Sequence, residues 1–405
     1  MAGGDRVPGK AGSAVLERDP AYTAALPDPR GDARVELRYL DDEGQHMVLS
    51  MGPQHPSTHG VLRVVLTLEG ETIVHAEPDI GFMHRNWEKQ AEYRTYAMNV
   101  PFSDRNDYIA PFHNERLICE AIERLLGVEV PERARWLRLA LCEMERIASH
   151  VLWMGTMGLD LGAVTPFLFA WRDREMYYML VQELSGGRLF PQFMRIGGLR
   201  NDTPDGWVER ALAWLDHMEQ EAWPEYVQLL FENDLYLRRT RGVGVLTPQQ
   251  AVAWQASGPV LRGCGVARDL RAHDDGVPYR ELGFRPVTAE GGDVWARNQV
   301  RVQEVLESVR LAREALRNLP GGPVMAKLPR ALRPTGEIYH EIESPRGSIG
   351  LYLVPGGDVM PYRAHWRSPC FVHLQLLPLM ARGHLVADMT AIIGSIDIVL
   401  CEVDR

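Results

Sequence analysis

The alternation of apolar and polar positions changes period along the chain. From Met47 to about Asp79 it follows a two-residue repeat, predicting a strand, a turn at Gly70-Glu71, and a return strand that begins with Thr72-Ile73-Val74. Val61-Leu62-Arg63-Val64-Val65-Leu66-Thr67-Leu68 is β-branched and apolar, as a strand with one buried face requires. Beyond Gly81 the repeat becomes helical. Helices are expected around 83–98 and 105–127, with Gly127 and Pro131 marking the following break. Leu137, Ala140, Leu141, Met144, Ile147, Ala148, Val151 and Leu152 then keep the 3.6-residue period, so one face of that helix is core. On another face Glu143, Arg146 and His150 form a polar line. An exposed salt-bridged stripe is the expectation, because most charged helix faces are solvated, with an internal hydrogen-bonded network as the alternative.

Helix-opening signals recur further on. Thr165-Pro166 predicts a helix to about Leu184, Thr203-Pro204 one to about Phe231, and Thr247-Pro248-Gln249-Gln250 a capping box. After a polar, glycine-rich span from 258 to 292, Asp293 to Leu319 reads as a long helix closed by Pro320-Gly321-Gly322-Pro323. Gly350–Val354 and Tyr362–Trp366 read as two strands joined through Pro355-Gly356-Gly357-Asp358, before two short helical pieces. The expected fold is α+β: an N-terminal small β-sheet region, a central helical bundle and a C-terminal α/β segment. The expected divisions are a flexible leader over 1–45, a β region over 46–80, the bundle over 81–257, and the long helix with the α/β region over 258–405.

Composition narrows the class. With 405 residues, 45% hydrophobic and 24% charged, the chain can bury a large core. No stretch reaches the roughly 18 uninterrupted apolar residues of a membrane span, and the N-terminus has no signal-peptide core, which argues for the cytoplasm. A net charge of −10 without a Lys/Arg cluster argues against nucleic acid. The five cysteines, Cys119, Cys142, Cys264, Cys370 and Cys401, contain no Cys-x-x-Cys pair, so nothing supports a zinc or iron–sulfur site held by this chain. No dinucleotide fingerprint follows a strand, and the hydrolase and zinc-protease motifs are absent.

One loop carries candidate chemistry. In Met51-Gly52-Pro53-Gln54-His55-Pro56-Ser57-Thr58-His59-Gly60 two histidines stand four apart, but Pro53 and Pro56 rule out a regular helix. The segment reads as a stiff polar loop at a strand mouth. It either presents its histidines for chemistry or is a hydrogen-bonded turn, and the residues alone weigh these about evenly.

Gly52–Gly60, Ile80-Gly81-Phe82-Met83-His84-Arg85 with Glu88-Lys89, Arg105-x-Asp107-Tyr108, Asp160-Leu161-Gly162-Ala163 with Thr165-Pro166-Phe167, Arg195-Ile196-Gly197-Gly198, Ser257-Gly258-Pro259 and Ser395-Ile396-Asp397 to Val403-Asp404-Arg405 occur in order. Together they resemble the 49-kDa (D) subunit of NADH–quinone oxidoreductase, respiratory complex I. That family is related to the nickel–iron hydrogenase large subunits, whose metal is held by two Cys-x-x-Cys pairs. Neither pair is present here, so the resemblance implies a hydrogenase-like fold whose former metal cavity is a quinone pocket.

The resemblance implies roles for particular residues. His59 and Tyr108 hydrogen-bond the quinone headgroup and supply protons, and Asp160 pairs with His59. A carboxylate beside an imidazole favours its protonated form, and a phenol gives a proton as charge develops on the ring. His55, Thr58 and Thr156 are further substrate-binding positions. Arg85 stands near the terminal iron–sulfur cluster and tunes it, the ordinary alternative being a salt bridge with Glu88. This chain is expected to bind no cofactor itself, with quinone as substrate and the cluster in the adjacent subunit. The implied partners are other complex I subunits, especially the small iron–sulfur subunit and the membrane-arm subunit at the quinone entrance. The implied place is the cytoplasmic face of the membrane, as a peripheral subunit of a proton-pumping complex.

The chain departs from the family in three segments. Arg85-Asn86-Trp87-Glu88-Lys89 replaces Arg-Gly-x-Glu-Lys, Arg346-Gly347-Ser348 replaces Arg-Gly-Glu, and Phe190-Pro191-Gln192 stands where some members carry histidines. The competing readings are a membrane-bound hydrogenase large subunit and a scaffold subunit without a quinone role.

Overall fold

The computed structural model describes residues 37–39, 46–53 and 60–405, all within one compact unit, Val35–Arg405. The expected leader over 1–45 falls almost entirely outside the described residues. Its exception is strand β1, Leu37–Tyr39, which pairs antiparallel with β2, His46–Met51. β3, Arg63–Glu69, and β4, Thr72–Asp79, complete a four-stranded antiparallel sheet in the order β1-β2-β3-β4. Val64, Leu66 and Leu68 of β3 are buried while Arg63, Val65 and Thr67 are half-buried, the alternation that the sequence predicts for a one-sided strand. Gly52 sits at φ 92 where the loop leaves β2, and a β-carbon there would stand 2.1 Å from the Leu62 carbonyl oxygen. Only glycine allows the two ends of the loop to approach this closely.

The helices follow as α1, Trp87–Ala91; α2, Tyr96–Ser103; α3, Pro111–Leu126; α4, Glu132–Asp160; and α5, Val164–Ser185. The two helices expected over 83–98 and 105–127 are therefore three shorter ones. Asn86 takes the left-handed conformation (φ 58) ahead of α1, as asparagine does more readily than most residues, and so fills the place of the family's glycine. Trp87 beside it is buried between Phe102 and Trp366, with ring centroids at 5.6 and 5.0 Å. At 104–110 the chain is not helical, because Pro111 disfavours helix at Ala110 and Asp107 turns back to accept from Ile109 N. Tyr108 consequently lies on a connection between helices.

After the short pair β5, Met194–Arg195, and β6, Gly198–Leu199, comes α6, Trp207–His217. Helical turns continue from it to Phe231, through two π segments at Met218–Ala222 and Val227–Phe231. Two expected caps are displaced. α5 starts after Ala163 because Ala163 N bonds to Gly158 O in the turn that closes α4, and α6 starts after Gly206, in the left-handed conformation. α7, Asp234–Thr240, α8, Pro248–Ala253, and α9, Gly258–Arg262, precede α10, Val294–Arg317. The Thr247 capping box is present, and Asp293 caps α10 by accepting from Ala296 N at 2.7 Å. α10 and α5 both pack against α4.

β7, Ile338–Ser344, β8, Gly347–Pro355, and β9, Pro361–Arg367, form a second antiparallel sheet with β8 in the middle. β8 and β9 contain the two strands expected there; β7 was not expected. The chain ends in four short helices rather than two: α11, Pro369–Leu374; α12, Leu377–Ala381; α13, Met389–Ile396; and α14, Leu400–Asp404. The fold is thus mixed α and β: a four-stranded sheet, then helices with one short strand pair among them, then a three-stranded sheet and a closing set of short helices.

Helix α4 overturns the expectation of an exposed stripe. Glu143, Arg146 and His150 are fully buried. Glu143 accepts from Tyr279 Oη and Ser308 Oγ, both at 2.6 Å, and faces Arg146 and Arg271. Burial opposes its ionisation, yet the two guanidiniums hold it below the usual carboxylate range. His150 Nε2 lies 3.0 Å from Glu304, whose other oxygen meets Arg262 and Arg271. Burial pushes the His150 imidazole down, so it stays neutral and donates from Nε2. Packing on every side of α4 removes its solvated face, and paired charges replace it.

Arg262 is the hub of this cluster, reaching Glu343 at 2.6 Å, Asp269 at 2.9 Å and Glu304 at 3.0 Å. Arg262→Ala should lower stability by about 3–5 kcal/mol, because three buried carboxylates lose a shared partner. Denaturant unfolding of the variant beside the parent measures this, and an unchanged midpoint would exclude the hub role. A β-carbon at Gly258 (φ +60) would stand 2.5 Å from both Arg346 O and Gly347 Cα, whereas one at Gly321 would meet nothing. Gly258→Ala should therefore lower the unfolding midpoint of the chain, and Gly321→Ala should not, as read by denaturant unfolding of the two variants beside the parent.

Candidate active site

The seat of Tyr108 is built by its neighbour. Asp107 is buried and its two oxygens are committed, one to Ile109 N at 3.1 Å and the other to Arg346 Nη1 at 2.8 Å. Arg346 comes from the turn between β7 and β8, and it also meets Ser149 Oγ of α4 at 3.3 Å and Asp397 at 3.6 Å. A rigid ion pair thereby fixes the backbone from which the phenol projects. Tyr108 is 37% exposed. Burial of its hydroxyl end pushes the pKa up, with Cys401, Asp107 and Asp397 adding and Arg346 opposing. At neutral pH the phenol keeps its proton and can donate it.

The end of the chain gathers the remaining pieces. Asp404 accepts from Gly81 N at 2.8 Å and from Met83 N at 2.6 Å, while its backbone oxygen lies 2.6 Å from His84 Nδ1. Arg405 donates to Trp366 O at 2.5 Å and lies over the Phe371 ring. Cys401, half-buried on α14, feels the charge of Arg85 and in turn acts on Tyr108. A β-carbon at Gly60, where the histidine loop ends, would lie 3.5 Å from Leu400 Cδ1. Helix α14 thus has the loop exit and the 81–84 segment against it.

The other candidates are placed as follows. His55, Thr58 and His59 lie outside the described residues. Asp160 is the half-buried last residue of α4, and Thr156 lies one turn before it. The Thr156 hydroxyl donates back to its own helix, to Trp153 O at 2.9 Å, which leaves its lone pairs for a ligand. Ser149, at the Arg346 cluster, precedes Asp160 by three turns, roughly 16 Å along the axis. Arg85 is exposed and does not have the salt bridge with Glu88 that was its ordinary alternative. The Glu88 carboxylate instead takes Arg363 at 2.6 Å, His365 at 2.9 Å and Trp366 N at 3.0 Å, because β9 packs directly on α1.

Sequence reasoning missed Arg346, which holds Asp107 beneath Tyr108. Nothing in local spacing joins Arg346 to Asp107, 239 positions away. The altered Arg346-Gly347-Ser348 segment retains its turn: Ser348 N bonds to Ser257 Oγ at 3.1 Å, and the Ser348 hydroxyl donates to Glu341 at 3.0 Å. Where some family members carry histidines, the Phe190 ring is covered by the Arg105 guanidinium at 4.4 Å. Among the described residues no group of three or more His, Cys, Asp or Glu is arranged to hold a metal. Also among them, no helix is long and apolar enough to cross a membrane.

The family model for the respiratory-chain NADH dehydrogenase 49-kDa subunit matches residues 160–334 and 329–405. The chain is 46% identical over 378 residues to the second D-type NADH-quinone oxidoreductase subunit of Symbiobacterium thermophilum, covering 89% of this chain and 98% of that protein. It is 45% identical over 362 residues to the D-type NADH-quinone oxidoreductase subunit of Geobacillus thermodenitrificans, covering 89% and 99%. The corresponding protein of Bacillus cytotoxicus is 42% identical over the same length, covering 89% and 99%. With the site geometry and this near full-length similarity, the chain belongs to the 49-kDa subunit family of the respiratory-chain NADH dehydrogenase.

Proposed function

We propose that this chain forms one wall of the quinone-reduction chamber of a proton-translocating NADH:quinone oxidoreductase. The neighbouring small iron–sulfur subunit supplies the last cluster, and a membrane-arm subunit meets the chain at the quinone entrance on the cytoplasmic face. The observation that carries this reading is the seat of Tyr108, fixed by the Asp107–Arg346 ion pair, with the end of the histidine loop at Gly60 near Leu400 of α14. Two-electron reduction of a quinone needs two protons at the ring oxygens, so donors must flank the headgroup. Tyr108 is such a donor: its seat is fixed by Asp107 and Arg346, and burial keeps it protonated. His59 is the second, held as an imidazolium by Asp160, with His55, Thr58 and Thr156 shaping the rest of the headgroup site. A change in charge on the His59–Asp160 pair begins the coupling to the membrane arm.

Arg85 is exposed and follows the 81–84 segment that Asp404 of α14 holds. Its charge favours the reduced form of a nearby cluster in the small subunit.

Two measurements test this reading. In membranes carrying Tyr108→Phe, donor-to-quinone activity should fall by roughly 10²–10⁴-fold, the usual contribution of a general acid, with donor-to-ferricyanide activity and assembly retained. Unchanged quinone reduction would remove Tyr108 from the chemistry and favour a scaffold role. Arg85→Ala should move the midpoint potential of the terminal cluster to more negative values in an electron paramagnetic resonance redox titration. A potential that does not move would return Arg85 to an ordinary surface cation.

A further inference from the structure

Arg174, on α5, departs from the pairing found among the other buried cations. It is 4% exposed, yet no carboxylate among the described residues lies within ion-pairing distance of it. Its Nε is a buried N–H without a hydrogen-bond partner, and the one side-chain acceptor that reaches the guanidinium is the Tyr178 hydroxyl. Arg297 also lacks a carboxylate, but it donates to Gly244 O, Gly292 O and Ser395 Oγ. Trp171, Arg174 and Tyr178 stand at i, i+3 and i+7 on one face of α5. The guanidinium lies 5.5 Å from the Trp171 ring centroid and 4.6 Å from that of Tyr178. The two rings hold the cation in place without neutralising it.

Arg174 lines a cleft of about 220 Å³, counted to its open mouth. Tyr177 and Pro111 wall the cleft, and Tyr108, Arg188 and Leu189, each more than a third exposed, also line it. Its charges do not balance. Arg188 is already met by Glu175 at 2.5 Å. Glu145 turns its oxygens to the start of α3, where they accept from Phe112 N at 3.0 Å and His113 N at 3.1 Å and lie 2.8 Å from His113 Nδ1. One positive charge is left over, that of Arg174. A guanidinium out of water without a partner is costly, and burial pushes the Arg174 pKa down. A single leftover charge calls for a monoanion rather than a phosphate dianion. A carboxylate fits, because its two oxygens match the planar fork of the guanidinium.

We propose that this cleft is a docking socket for an acidic side chain of a neighbouring subunit, whose carboxylate seats on Arg174. The family is one of subunits in a larger oxidoreductase, so this chain presents its open faces to other chains. The partner segment carries an aspartate or glutamate between apolar residues, because the exposed side chains of Leu189 and Trp171 stand beside the cation. An arginine fixed between aromatic rings and shut off from water on docking is the usual make-up of an energetic anchor at an interface. In the free chain the cation is unmet, and in the complex it is paired. Arg174 therefore holds the assembly together rather than the fold. The inference stands on the cleft and on family membership, and it does not depend on Tyr108 giving a proton.

The test is carbodiimide coupling in membranes carrying the whole complex. Arg174→Lys places an amine in the cleft, and Leu189→Lys places one on its exposed lining, where the change does not disturb the core. The chain has only three lysines, Lys10, Lys89 and Lys327, so peptide mass spectrometry assigns a link from either new amine against a small background. The proposal predicts an amide between an introduced amine and an aspartate or glutamate of another subunit. Links confined to Glu145 or Glu175 of this chain overturn it, and so does the absence of a link from both variants, which would leave the cleft to a small anion or a lipid phosphate. If Arg174→Lys does not assemble, Leu189→Lys decides alone. A second measurement separates docking from packing within the chain. Arg174→Met keeps much of the side chain's length and removes its charge. Should Arg174 serve only its own rings, the isolated full-length chain loses stability in this variant. The proposal predicts instead that its unfolding midpoint stays or rises, while the solubilised complex comes apart at a lower urea concentration than the wild type on native gels. A lowered midpoint of the isolated chain with unchanged dissociation of the complex overturns the docking role.

Discussion

A carboxylate removed from water must find a cation or give up its charge, and this constraint runs through the interior of the molecule. Around α4, Glu143, Asp269, Glu304 and Glu343 are met by Arg146, Arg262 and Arg271 in a cluster that excludes solvent. The contributing groups come from α4, α9, the 266–272 segment, α10 and β7, so the cluster fixes those elements relative to one another. Such pairing gives little net stability over a well-packed apolar core, yet losing one partner is severe, because the remaining charge cannot return to water. The guanidinium suits this use: it stays charged and offers donors in several directions at once.

A second ion cluster stands where the candidate chemistry is. Arg346 binds Asp107, and Asp107 sets the backbone that carries Tyr108. Asp397 joins from the turn after α13 and Ser149 from α4. The last eleven residues therefore serve several purposes at once: they complete this cluster, hold the 81–84 backbone through Asp404 and cover the loop exit with Leu400. A side chain whose backbone is set by a buried ion pair in this way keeps a fixed position.

Much of the fold was legible in the chain because it depends on local chemistry. The β3 alternation, the Gly70-Glu71 turn, the Thr247 capping box, the Asp293 cap and the strands within β8 and β9 involve residues a few positions apart. Local reading failed where a distant contact or a neighbouring turn competes. The break at 104–110 depends on Asp107 and Pro111, the start of α5 on the turn that closes α4, and strand β7 on pairing with β8. Among the candidate residues, Tyr108, Asp160 and Arg85 stood out through their motifs, whereas Arg346 did not, because its contacts lie far away in the chain.

By itself, then, the sequence determined the family, the mixed α and β class, the periodic core faces and the absence of paired cysteines, since each is written in residue types and short spacings. The tertiary structure alone decided which charged residues are buried, what each is paired with, and that the C-terminal helix holds the 81–84 segment. The polar line on α4 shows why. A helix carrying Glu143, Arg146 and His150 is compatible with either solvent or core, and only the elements packed against it supply Arg271, Glu304 and Tyr279 in place of water.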